Sequence, residues 1–83
     1  MFTPFRVTGC SLELLNPGEQ GIVTFYQTQD KKILEEITSI GITIGICITL
    51  EQKFPALVIK VDSHTISINQ QIARNIYVRI VEH

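Results

Sequence analysis

The sequence predicts a mostly β domain, a small antiparallel barrel of about five strands with one short α-helix inserted after the first strand. Three observations carry this. The apolar fraction is 45%, dominated by isoleucine and without tryptophan, and β-branched residues suit a pleated surface. Apolar and polar residues alternate with period two in several short runs, from Ile46 to Glu51, Leu57 to Val61, Thr65 to Ile68 and Ile76 to Ile80. One segment only, around Ile33–Ile40, carries a helical period instead. Eighty-three residues make one domain, with a small core that buries roughly 60–65% of the chain's surface.

The elements follow in order. Residues 1–10 are read as an N-terminal extension, in which Phe2, Phe5 and Val7 alternate as an edge strand would. The barrel is expected over 11–83. Ser11 is placed to cap a short helical turn through Leu12–Leu15, ending before Pro17. Asn16-Pro17-Gly18 is a turn, because Pro presets φ and Gly accepts positive φ. Gly21–Gln27 reads as a strand, with Gly21 marking a bulge or tight bend.

Asp30 is an N-cap for a helix from Lys31 to Ile40. Ile33, Leu34, Ile37 and Ile40 form its buried stripe, and Lys32, Glu35, Glu36 and Ser39 face outward. Lys31 and Lys32 oppose the helix dipole, which pairing with Glu35 and Glu36 offsets. About ten residues do not hold a helix alone, so the isoleucine stripe must pack. Gly41 is the helix stop and Gly45 a corner. After it Ile46, Ile48 and Leu50 face one way and Cys47, Thr49 and Glu51 the other. Leu57, Ile59 and Val61 face inward on the next strand. Asp62-Ser63-His64 turns the chain, and Ile66 and Ile68 alternate with Thr65 and Ser67. Asn69 caps a helical turn over Gln70–Asn75. The last strand points Ile76, Val78 and Ile80 inward and Tyr77 and Arg79 outward. A helical turn just before the last strand resembles the layout of SH3-like barrels, an analogy of fold and not of function.

Charge and length exclude several functions. Charged residues are 18% and the net charge is −1. Nucleic acid and anionic membrane surfaces call for a clustered basic face, so neither is an expected partner. No run approaches the ~20 apolar residues of a membrane helix, and MFTPFRVTGC has no signal-peptide pattern. The expected location is cytoplasmic, where Cys10 and Cys47 stay reduced.

The ordered landmarks also carry a resemblance. They are Ser11-Leu12-x-x-Leu15, Pro17-Gly18-Glu19, a strand, then Leu34-x-x-Ile37-x-x-Ile40-Gly41-Ile42-x-x-Gly45. Pro55, Thr65-Ile66-x-Ile68, Ile72-Ala73 and Ile76-x-Val78 follow. Each is common alone; the ordered set, over residues 11–81, resembles the FeoA family of ferrous iron transport accessory proteins. The same barrel resembles the C-terminal domain of iron-dependent repressors. The chain departs from the family pattern at Glu35 and Glu36, where basic residues are usual, and at Ile44, where Pro is usual. The loop around Phe54-Pro55 is a few residues short.

The resemblance implies a non-enzymatic accessory of ferrous iron uptake that docks on the cytosolic part of the FeoB transporter. The contact residues expected are Phe2, Phe5, Lys32, Glu35, Glu36, Ser39, Gly41 and Gly45. The alternative for the two glycines is backbone geometry, and for the two glutamates a solvated helix face. Self-association is a further possibility. A second functional class is a metal-responsive barrel that binds Fe²⁺ or another divalent ion itself. Its ligand types are present in Cys10, Cys47, Glu51, Asp62, His64 and His83, but no pair has metal-motif spacing, so no metal site and no cofactor is expected. Cys47 is read as a small filler in or beside the core. No catalytic residues are expected: Asp62, Ser63 and His64 are chain neighbours that point apart. A proline-rich peptide needs an aromatic-lined groove, and Tyr26 and Tyr77 are expected on distant strands.

Overall fold

A computed structural model describes residues 9–81. Phe2, Phe5, Val7 and His83 lie outside the described residues. Strand β1 (Gly9–Ser11) leads into a 3-10 turn (Leu12–Leu14) and β2 (Gln20–Tyr26). Helix α1 (Lys31–Ser39) precedes β3 (Cys47–Gln52), β4 (Leu57–Val61) and β5 (His64–Ile68); α2 (Gln70–Arg74) and β6 (Ile76–Val81) complete the chain. The fold class is the one expected, with one strand more. Gly9–Ser11 forms a strand because β6 offers it a free edge, pairing Gly9 with Arg79 and Ser11 with Tyr77. The helix therefore follows the second strand.

All six strands lie in one antiparallel sheet of order β1-β6-β2-β3-β4-β5. The end strands β1 and β5 do not pair with each other. Hydrogen bonding thus leaves the barrel open, and the helical segments cover the core instead: α2 packs against the 3-10 turn, α1 and β6. Leu12, Leu15, Ile37, Ile72 and Ala73 come from these segments and their flanks. They join Val23, Ile48, Leu50, Ile59, Ile76 and Val78 from the inward faces of the strands. No charged or polar residue is buried among the described residues.

Local chemistry explains each boundary. Asp30 caps α1 by accepting the Lys32 N–H at 2.9 Å, and Asn69 caps α2 by accepting the Ile72 N–H at 2.8 Å. Ser11 precedes its 3-10 turn without a side-chain cap bond. Pro17 and Gly18 form the expected turn, with Gly18 at φ +92 and the Glu19 N–H donating to the Asn16 carbonyl. Asp62 takes φ +56 in the two-residue link between β4 and β5, a conformation Asp tolerates.

Several expectations are corrected. Gly21 does not bend β2; the bulge lies between Val23 and Phe25. Gly21 is small because Val78 crosses it: an added Cβ would stand 2.6 Å from a Val78 methyl. Within the α1 stripe Ile37 alone is fully buried, and Ile33, Leu34 and Ile40 are half-buried, because the helix rests on the core along one narrow line. Among the described residues neither Lys31 nor Lys32 forms an ion pair with Glu35 or Glu36; the pair that forms is Arg74–Glu13 at 3.5 Å. Cys47 is exposed, not core filler: the alternation that buries Ile48 turns it outward, across from Ile22. β2 and β6 are direct neighbours, so Tyr26 and Tyr77 are not on distant strands; Tyr77 stacks on Phe25, with ring centroids 4.7 Å apart.

Candidate functional site

Helix α1 and the turn after it form the surface the sequence singled out. Lys32, Glu35, Glu36 and Ser39 are all exposed, as their spacing of three and four requires. The Ser39 hydroxyl donates to the Glu36 carbonyl at 2.8 Å, and that of Thr38 donates to Leu34 at 3.0 Å. These hydroxyls are turned back on the helix, so the chemistry presented outward is that of Lys32 and the two carboxylates.

The helix ends in a Schellman motif. The Gly41 N–H donates to the Thr38 carbonyl at 3.1 Å and the Ile42 N–H to the Ile37 carbonyl at 3.3 Å, with Gly41 at φ +91. Ile42 and Ile37 are both fully buried, which supplies the apolar contact of that motif. A second turn follows at once. The Ile46 N–H donates to the Thr43 carbonyl at 3.2 Å, and Gly45 sits third in the turn at φ +92, the position where a type II turn requires positive φ.

Strand β2 latches this segment in place. The Gly45 N–H donates to the Val23 carbonyl at 2.7 Å, the Val23 N–H to the Ile46 carbonyl at 2.9 Å, and the Tyr26 hydroxyl to the Ile42 carbonyl at 2.9 Å. Nothing lies within 4 Å of where a Cβ would stand on Gly41 or Gly45. Both glycines are therefore explained by backbone conformation, and both are also exposed on a hydrogen-bonded turn beside the helix face.

The fold adds residues to this surface that spacing did not reveal. An open hollow of about 210 Å³ lies where α1 meets the end of β5 and the start of α2. Glu36, Ser39 and Ile40 line one side, and Ser67, Asn69 and Ile72 the other. These two groups stand some thirty positions apart in the chain, well beyond the window of about 11–18 residues over which a local pattern is read.

Other candidate groups do not assemble. Among the described residues no three of His, Cys, Asp and Glu come together as metal ligands would. Asp62, on the β4–β5 link, and His64, the first residue of β5, are both exposed. Cys10 is half-buried; burial pushes its thiol pKa up, the Glu19 carboxylate adds to this, and Lys53 partly opposes it. The shift favours the neutral thiol over the thiolate that acts as nucleophile. No helix among the described residues is long and apolar enough to cross a membrane.

The FeoA domain family matches this chain over residues 10–80. The chain belongs to the FeoA family. A Leptolyngbya boryana protein provisionally named Fe(2+) transport protein A is 32% identical over 79 residues, covering 94% of this chain and 96% of that protein. The crystal structure of the iron uptake regulatory protein FeoA superposes with a TM-score of 0.82 at 23% identity, covering 90% of this chain and all of that one. IdeR of T. acidophilum superposes over 95% of this chain and 37% of its own, with a TM-score of 0.82 at 22% identity. The barrel is thus an FeoA-type SH3-like fold, and the longer IdeR chain contains the same fold over 37% of its length.

Proposed function

We propose that this FeoA-family protein is a cytoplasmic, non-enzymatic accessory of ferrous iron uptake that docks on the cytosolic part of an FeoB-type transporter. The observation that carries the reading is the family match over nearly the whole chain, joined to a relative named for Fe²⁺ transport. The docking face is the outer side of α1, with Lys32, Glu35, Glu36 and Ser39, continued by the turn at Gly41 and Gly45. The latched turn supports this choice. A surface that is rigid before binding loses little conformational entropy on contact. The carboxylates of Glu35 and Glu36 call for a basic partner surface. Regulation then follows from differential affinity: a module that binds one nucleotide or gating state of the transporter better than another shifts the population toward it.

Titration of the isotope-labelled protein with the transporter's cytosolic domain, with and without guanine nucleotide, tests this. Amide shifts are expected on α1 and residues 41–45, with an affinity that changes with nucleotide. The double variant Glu35→Lys, Glu36→Lys is expected to weaken binding by about tenfold or more. Undiminished binding of that variant rules out the helix face.

A further inference from the structure

The most exposed apolar side chains of the described residues cluster away from α1. Phe54, on the link between β3 and β4, is 77% exposed, and Leu14, in the 3-10 turn, is 63% exposed. They share the lining of an open hollow of about 240 Å³, with Glu13, Lys53, Leu57 and Gln70. Phe54 also lines an adjoining hollow of about 280 Å³, where Pro55, Ala56, Leu57 and Ile68 meet Lys53, Asn69 and Gln70. An exposed aromatic ring therefore borders two adjoining hollows of mixed apolar and polar lining. Large apolar groups gathered beside concave ground mark an interaction site, and an aromatic knob is the usual anchor of one.

We propose that this surface pairs with a second copy of the same chain. A two-fold contact requires a patch complementary to itself, so that residue i meets j and j meets i. Phe54 and the Leu14–Leu57 hollow meet that requirement, since knob and depression lie side by side. The Phe54 ring of each copy enters the hollow of the other. The charges agree with it. Lys53 and Glu13 line the same hollow with opposite signs, and a two-fold axis brings Lys53 of one copy toward Glu13 of the other. Arg74 holds that carboxylate in place at 3.5 Å. A rim with both signs complements itself, whereas recognition of a strongly charged foreign surface calls for one sign.

Sedimentation equilibrium of the full chain, from micromolar to millimolar concentration, reads this without any transporter present. It is therefore independent of the docking assignment for α1. The expected result is a mass rising from one chain to two. Phe54→Ser and Leu14→Ser are each expected to raise the dissociation constant by about tenfold or more. Both side chains are exposed, so the variants keep the parent's amide spectrum outside the patch. Lys53→Glu, which sets like charges face to face, is expected to weaken the dimer most at low salt. A single-chain mass at every concentration overturns the proposal. So does a dimer that Phe54→Ser leaves intact. A monomer whose Phe54→Ser variant loses binding to the transporter's cytosolic domain also overturns it, and gives the patch to the transporter.

Discussion

Three glycines in this chain are required for two different physical reasons. At Gly41 and Gly45 the constraint is φ, at +91 and +92, with open space around each Cβ direction. An alanine there meets no neighbour but enters a left-handed conformation, at a cost of about 1–2 kcal/mol. At Gly21 the constraint is volume, because Val78 occupies the Cβ position. Gly21→Val should therefore destabilise more than Gly41→Ala, by about 1–3 kcal/mol of overpacking on the strand that crosses it. Urea unfolding of the two variants gives the comparison, and Val78→Ala should not rescue position 21, because the Val78 Cβ itself stands 2.7 Å from the added Cβ. The two cysteines separate in the same way. The thiol of Cys10 has its pKa raised by burial and Glu19, so its thiolate forms only at higher pH; Cys47 stands exposed on β3. Alkylation near neutral pH should modify Cys47 first. The linkage has a definite sign. Because the folded Cys10 holds its proton more tightly than the unfolded one, its contribution to stability is present at neutral pH and is lost as pH rises beyond the usual cysteine range.

At the scale of elements, the segment from Lys31 to Ile46 shows how a marginal helix is stabilised from outside. Nine residues are too few to hold α1 alone. Its N-terminus is held by Asp30, its C-terminus by the Schellman motif, and its buried face by Ile37. Ile37→Ala should cost about 2–5 kcal/mol, a large share of the stability of so small a domain. In the turn that follows, Ile44 stands second, is 55% exposed, and occupies the position where proline presets φ for a type II turn. Ile44→Pro should stabilise the chain by about 0.4–1 kcal/mol through the unfolded state. In a domain of this size, 1 kcal/mol moves the melting temperature by roughly 4–8 °C, so calorimetry resolves the effect.

The whole molecule is organised around β6, which is hydrogen-bonded by β1 on one side and β2 on the other. β5 is bonded on one side only, by β4. Amide exchange should follow that difference: Val78 and Arg79 should exchange far more slowly than Thr65 and Ser67, whose strand opens first. The sheet also distributes the functional surfaces. The hollow beside α1 and the hollow beside Phe54 are neighbours that share Ile68 and Asn69 in their linings. The Glu35, Glu36 and Phe54 variants separate the two proposals, because Glu36 lines only the first of these hollows, Glu35 neither, and Phe54 only the second.

What the sequence determined by itself is the placement and facing of most elements, which local geometry controls. Period-two alternation located β3 to β6 and their inward faces; the 3.6 period with Asp30 and Gly41 located α1; Asn69 located α2. The exposed face of α1 followed from the same spacing. The tertiary structure alone decided what depends on contacts between distant segments. Gly9–Ser11 is a strand because β6 lies beside it. Gly21 is glycine because of Val78, far along the chain, and Phe25 stacks on Tyr77 for the same pairing of β2 with β6. The reach of α1 into the core, which leaves Ile33 and Leu34 half-buried, and the exposure of Phe54 and Leu14 were not legible either. Whether an apolar side chain finds cover depends on which elements pack over it, and hydrophobic association has no direction of its own that a local pattern could encode.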